Sequence, residues 1–386
     1  MTPTTGVPEI LARTREAIAP AMVAAVDRLD PDTRLQVTYH LGWTDAAGGP
    51  LSAPTGKGIR PALALLSAAA AWSDPSVGIP GAVAVELIHN FSLIHDDIID
   101  GDLERHHRPT VWSVFGVGSA IITGDALETL AHQVLLEAPE SGAAASAALA
   151  EGTAAMIAGQ AMDVAFEKRR NVSVEECMAM CAAKTGALLG CAASIGAVLA
   201  GAPPATVGAL RDFGAQLGLA FQAVDDLLGI WGDPATTGKP AGNDLRQRKK
   251  SMPVVSALAA GGDEADELRE LVLGPAPDRV SNLVGGVGIG LADAAPETAT
   301  GSPSSNGNRP GNGAPAPDAP TLEPLSSEQV ARATLLVERC GGREWTRVRA
   351  KAHLDAALGA LQRVRLSAVP HRELADLAVF VVERES

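Results

Sequence analysis

Apolar positions recur along this chain with the period of a helix and almost never with that of a strand. Residues 9–30 (EILARTREAIAPAMVAAVDRLD) read as an amphipathic helix, and Pro31 begins a break. Gly42, Trp43, Gly48, Gly49 and Pro50 mark segment 36–55 as a loop. An Ala/Leu helix spans 61–72, a turn 73–80, and a further helix 81–100. Helical patterns continue over 117–138, 143–168, 173–201 and 204–231, and another helix begins at Met252-Pro253. After a gap the pattern resumes with a cap-like Ser326-Ser327-Glu328-Gln329 and runs through 331–340, 345–365 and 371–383. Alternating β-branched runs are missing. The pattern predicts an all-α bundle of about ten or more helices around a central apolar cavity.

Residues 276–325 interrupt it, with GSPSSNGNRPGNGAPAPDAP at their centre. Such a stretch buries too little apolar surface to offset its ordering entropy, so it reads as a disordered insertion within a single domain spanning 1–386. Its start, 279–291 (RVSNLVGGVGIGL), is a short apolar island suited to docking on a partner.

Composition narrows the classes. A net charge of −14 argues against nucleic acid or an anionic membrane as the main partner. No charge occurs from Thr185 to Leu210, but Pro203-Pro204 interrupts the run, which fits a core helix better than a membrane span. Cys177, Cys181, Cys191 and Cys340 lack metal-ligand spacing and read as reduced packing residues. MTPTTGVPEI has no signal-peptide pattern, so a cytoplasmic location is expected.

Candidate chemistry centres on 86–110, ELIHNFSLIHDDIIDGDLERHHRPT. Asp96 and Asp100 share one helix face, with Asp97 beside them. Adjacent carboxylates at the end of an apolar helix are costly unless a cation sits between them, and hard oxygen donors favour Mg²⁺. Arg105, Arg108, His95, His106 and His107 lie close by in the chain, as for an anionic substrate. One acidic helix end reads equally well as a solvated face. A second, Asp225-Asp226, again ends an apolar run and is trailed by Lys239, Asp244, Arg246, Lys249 and Lys250. Two such sites can hold several Mg²⁺ ions around one diphosphate over an apolar tail pocket.

At this point the sequence resembles the trans-isoprenyl diphosphate synthases, the head-to-tail polyprenyl synthetases. The motifs come in the family's order: GKGIRP at 56–61, His89, DDIID at 96–100, Lys184-Thr185, FQAVDD at 221–226 and GKPAGNDLRQRKKSMP at 238–253. The resemblance implies metal binding by Asp96, Asp100 and Asp225, supported by Asp97 and Asp226, with three Mg²⁺ ions expected. It implies that Lys57, Arg60 and His89 hold isopentenyl diphosphate. Arg105, Lys184, Lys239 and Lys249 would hold the allylic diphosphate, and Thr185 and Gln222 would line the reacting carbons. A homodimer is also implied.

Two positions depart from the family pattern. Gly229 stands where the second motif usually has a third Asp, removing one supporting carboxylate. His106 stands where a second Arg usually touches isopentenyl diphosphate, and it is charged only part of the time near neutral pH. Phe91, five residues before Asp96, with Ser92 beside it, resembles the chain-length pattern of C20 synthases. Geranylgeranyl diphosphate is therefore the expected product and farnesyl diphosphate the second. The competing readings are a class I terpene synthase on the same scaffold and a non-catalytic subunit of a heteromeric synthase. The chain also looks like bacterial prenyl synthases carried as cargo in encapsulin shells, and 279–291 would be the docking segment.

Overall fold

The chain is described by a computed structural model over residues 6–51, 56, 58–233, 240–274 and 323–383. Its helices are α1 (Val7–Val26), α2 (Pro31–His40), α3 (Ile59–Ala70), α4 (Ile79–Asp100), α5 (Val111–Phe115), α6 (Val117–Leu136), α7 (Gly142–Lys168) and α8 (Val174–Cys181). They continue as α9 (Ala187–Leu199), α10 (Pro204–Trp231), α11 (Asn243–Arg246), α12 (Met252–Ala259), α13 (Asp263–Leu273), α14 (Ser327–Arg339), α15 (Gly342–Leu361) and α16 (Ala368–Val382). The all-α architecture holds, and the expected insertion lies almost wholly outside the described residues.

Three local expectations are corrected. Pro31 starts a helix: Asp30 accepts hydrogen bonds from the Asp32 and Thr33 amides, both 3.1 Å, and a proline at the first helical position lacks only an amide that would be unpaired anyway. The helix expected over 173–201 changes pitch, because Ala182–Gly186 form a π turn between α8 and α9. A small antiparallel hairpin follows α4, with β1 (Glu104–Arg105) paired to β2 (Arg108–Pro109).

The core is centred on α9, where every residue from Leu188 to Ala197 is buried. Helices α3, α4, α7 and α10 surround it. The uncharged run is thus mostly a core helix. Two segments, Pro75–Asp100 and Val174–Leu199, are long and apolar enough to cross a membrane, yet 61% and 67% of their apolar windows are buried inside the bundle. A second core joins the end of α10 to α11–α14 through Ile230, Leu245, Leu268 and Leu336.

Close approach sets the geometry at the π turn. A Cβ on Gly159 of α7 would run into the Lys184 main chain, and one on Gly218 of α10 would lie 2.6 Å from the Gly186 Cα. Only glycine at both places lets α7 and α10 press on 182–186 from two sides. Single π turns occur frequently at functional sites, and this one carries Lys184 and Thr185.

Candidate active site

Helix α4 stops at Gly101, whose φ of +69° supplies a left-handed cap. The stop leaves Asp96, Asp97 and Asp100 in the last two turns, at the negative end of the helix dipole, where carboxylates are disfavoured. Burial pushes Asp96 up to about 6; Lys184 pulls it back and Asp100 pushes it further. Burial also raises Asp100, with Lys184 opposing. Asp97 turns the other way. It is 1% exposed, its Oδ1 accepts from Arg105 Nε and Nη2 at 2.7 Å each, and its Oδ2 is buried without a hydrogen-bond partner.

The hairpin delivers that arginine. His106 and His107 form its two-residue turn with φ +52° and +60°, a conformation that usually selects Asn-Gly. Arg105 and Arg108 are direct cross-strand partners. Arg108 stacks 4.6 Å above the Tyr39 ring and donates to the Thr44 carbonyl at 3.3 Å. Tyr39 Oη donates to the Pro109 carbonyl at 2.8 Å, tying α2 to β2. His106 sits exposed at the tip.

The opposite wall is α10 and the π turn. Asp225 is exposed, whereas Asp226 is 2% exposed and accepts from Gln222 Nε2 and the Met252 amide, both 2.8 Å. Burial pushes Asp226 up to about 6. Thr185 Oγ1 donates to Gln222 Oε1 at 2.7 Å, so Thr185, Gln222 and Asp226 form one chain of hydrogen bonds. Lys184 Nζ lies 2.6 Å from Asp163 Oδ2 on α7. Lys249 Nζ lies 3.8 Å from Asp244 Oδ2. Burial disfavours the Lys249 charge, but Asp244, Asp226, Asp225 and Asp163 together raise its pKa overall.

These shifts bring the two acidic ends to one space. Asp163 acts on Asp96 and Asp100 as well as on Lys249, and Lys249 acts on Asp100 as well as on Asp225 and Asp226. Of the carboxylates expected to bind metal, Asp97 Oδ1 already accepts from Arg105, and Asp226 accepts from Gln222 and the Met252 amide. Among the described residues no three carboxylates form a closed cage for a metal. Mg²⁺ is usually held by one or two carboxylates, with water and substrate phosphate completing its shell. The raised carboxyls would be relieved by a dication, so the residues present fit the ion.

Gly229 is not a simple loss. A Cβ there would run into the carboxylate of Asp244. The motif's third Asp is absent at 229, and α11 sets the Asp244 carboxylate beside that glycine.

On the remaining side, Arg60 Nε is buried with no hydrogen-bond partner. Burial holds His89 well below the usual imidazole range, with Arg60 and Arg105 adding to the effect. Ser92 Oγ donates to the His89 carbonyl at 2.8 Å and so faces its own helix. Phe91 is 6% exposed and meets the His95 ring edge-on at 4.8 Å. Lys57 and Lys239 lie outside the described residues. Sequence reasoning missed Asp163, His40 and Asn90. Asp163 lies near the C-terminal end of α7 with no local signal, and His40 fell in a stretch read as loop.

The all-α bundle carries its two acidic helix ends within the field of one lysine, Lys249. The chain belongs to the polyprenyl synthetase family, whose profile matches residues 43–284, and is thus a prenyltransferase. It is 41% identical over 379 residues to a (2E,6E)-farnesyl diphosphate synthase of Mycobacterium tuberculosis, covering 98% of this chain and 93% of the relative. It is 43% identical over 276 residues to a geranylgeranyl diphosphate synthase of the same organism, covering 71% and 79%. A crystal structure of a polyprenyl synthetase from Streptomyces coelicolor A3(2) superposes with a TM-score of 0.82 at 45% identity, covering 97% of this chain and 99% of that one.

Proposed function

We propose that the chain condenses isopentenyl diphosphate with an allylic diphosphate, head to tail, in a Mg²⁺-dependent reaction yielding geranylgeranyl diphosphate. The observation that carries the reading is the shared field of Asp96, Asp100 and Asp225 with Lys184 and Lys249. Bound Mg²⁺, three ions by family resemblance, supplies charge neutralisation for the departing diphosphate. Lys184 and Lys249 orient that diphosphate, and Arg105 does so while braced on Asp97. The allylic C–O bond breaks and its electron pair leaves with the diphosphate. The isopentenyl double bond attacks the cation, and a proton is then lost to the released pyrophosphate. Thr185 and Gln222, fixed by their hydrogen bonds, present oxygen dipoles to the cation. Buried apolar side chains, Phe91 among them, keep water from it.

Phe91 supports a C20 product as the pocket floor. Farnesyl diphosphate is the second reading, favoured by the relative that aligns with nearly the whole chain. A homodimer is supported by the exposed Val117, Ile121 and Ile122 on α6. A cytoplasmic location goes with this reading. The names of the relatives do not speak to packaging in a protein shell, which rests on 279–291, outside the described residues. The test is product chromatography after incubating the purified chain with Mg²⁺, isopentenyl diphosphate and C5, C10 or C15 primers. A product that keeps its diphosphate carries the proposal. A cyclised hydrocarbon favours a terpene synthase, and no turnover by the chain alone favours a non-catalytic subunit.

A further inference from the structure

Phe91 and His95 lie one turn apart on α4, so their side chains share a face of that helix. Their rings meet edge-on, with centroids 4.8 Å apart and planes at 69°. Such a contact sets the positive edge of one ring on the negative face of the other. His95 is held in turn from α6. Its Nε2 lies 3.1 Å from the Ile121 carbonyl. A carbonyl oxygen only accepts, so Nε2 carries the proton and donates.

Gly124 makes room for this arrangement. It is buried on α6, and a Cβ there would run into Nε2 and Cδ2 of the His95 imidazole. A larger residue at 124 therefore forces the imidazole away from the Ile121 carbonyl. Helices α4 and α6 pack against each other, so the hydrogen bond spans the seam between them. Phe91 is 6% exposed and takes its position from both helices. Its own backbone fixes where the ring starts, and the imidazole tied to α6 fixes what the ring rests against.

We propose that His95 is a positioning residue for product length: it seats Phe91 against α6 and so sets where the growing prenyl tail stops. The inference rests on the prenyl-transfer reading with Phe91 as pocket floor. Product length is a partition between release and one more condensation, so the floor has to resist each added five-carbon unit. A phenyl ring free to change rotamer yields to the tail. One backed by an imidazole that is bonded to the next helix stays in place. His95 acts through Phe91 alone in this role, and no covalent step is added.

Incubation with Mg²⁺, excess isopentenyl diphosphate and a C10 primer, followed by chromatography, gives the ratio of longer products to the wild-type main product. His95→Ala raises that ratio about fivefold, the scale of one aromatic edge contact. Gly124→Ala raises it as well, with α4 and its aspartates unaltered, and carries the test should His95→Ala fail to fold. In a Phe91→Ala background the further change His95→Ala shifts the ratio by less than about twofold, because the imidazole has no ring left to seat. An imidazole that merely stiffened α4 beside Asp96 would lower kcat and leave the ratio where it was. An unchanged ratio in the folded single variants overturns the proposal, and so does equal lengthening by His95→Ala with and without Phe91. If Phe91→Ala itself leaves product length unaltered, the floor reading falls and the proposal with it. A cyclised hydrocarbon, or no condensation product, would instead overturn the prenyl-transfer reading.

Discussion

Lys184 Nζ lies 2.6 Å from Asp163 Oδ2, joining the π turn after α8 to the last two turns of α7. Both side chains are about one-quarter exposed, so the pair is neither a screened surface contact nor a sealed core pair. Lys184 is the largest charge opposing burial at both Asp96 and Asp100. Asp163 is therefore expected to position Lys184, besides acting on Asp96 and Asp100 directly.

Removing its charge should loosen that ammonium without unfolding the bundle. Asp163→Asn is expected to lower kcat/KM for the allylic substrate about tenfold, the scale of one charged hydrogen bond. Steady-state kinetics check this, with far-UV circular dichroism unchanged. An unaltered kcat/KM would mean that the pair is structural only.

Restoring the family's third aspartate should hurt rather than help. In Gly229→Asp the new side chain enters the space held by the Asp244 carboxylate, adding both a clash and a like charge. Activity is expected to fall about tenfold, equivalent to roughly 1.4 kcal/mol in the barrier. Gly229→Asp with Asp244→Gly should recover most of it, because each change then vacates what the other fills. A gain from Gly229→Asp alone would show that Asp244 does not serve this space.

Phe91 is linked to α6 through His95 of its own helix. His95 meets it edge-on, and the His95 Nε2 lies 3.1 Å from the Ile121 carbonyl, over Gly124 of α6. Phe91→Ala should lengthen the product by at least one isoprene unit on chromatography. It should also lower the melting temperature, since emptying such a site costs about 3 kcal/mol. An unchanged product length removes Phe91 from the pocket floor.

Acid should separate wild type from His40→Gln in the free enzyme. His40 sits at about 4 in the folded chain against 6.5 as its ordinary value. Between those values the unfolded chain binds more protons, so the wild type loses stability as pH falls through the window. Glutamine has no such titration. The melting temperature of the variant minus that of wild type should therefore rise steadily from pH 7 to pH 4.5. A constant difference would mean that the ring is not held neutral.

Much of this was legible locally. The apolar period predicts α4, α7 and α10 closely, and the two acidic ends are visible as Asp96–Asp100 and Asp225-Asp226. The hairpin was not, because β1 and β2 are two residues each and His106-His107 lacks the usual turn chemistry. Nor was α2, whose first residue is a proline that also serves as a breaker signal.

The sequence by itself determined the helical class, the order of the motifs and the placing of acidic groups at helix ends. Those depend on residue type and spacing along one element. Only the tertiary structure decided which acidic groups face outward and which are held inside. Asp97 goes to Arg105 and Asp226 to Gln222 and Met252, and the cation is proposed to sit on Asp96, Asp100 and Asp225. It also set Asp244 beside Gly229. Such pairings depend on which helices pack together and on how far burial removes water from each charge, and neither is written in local spacing.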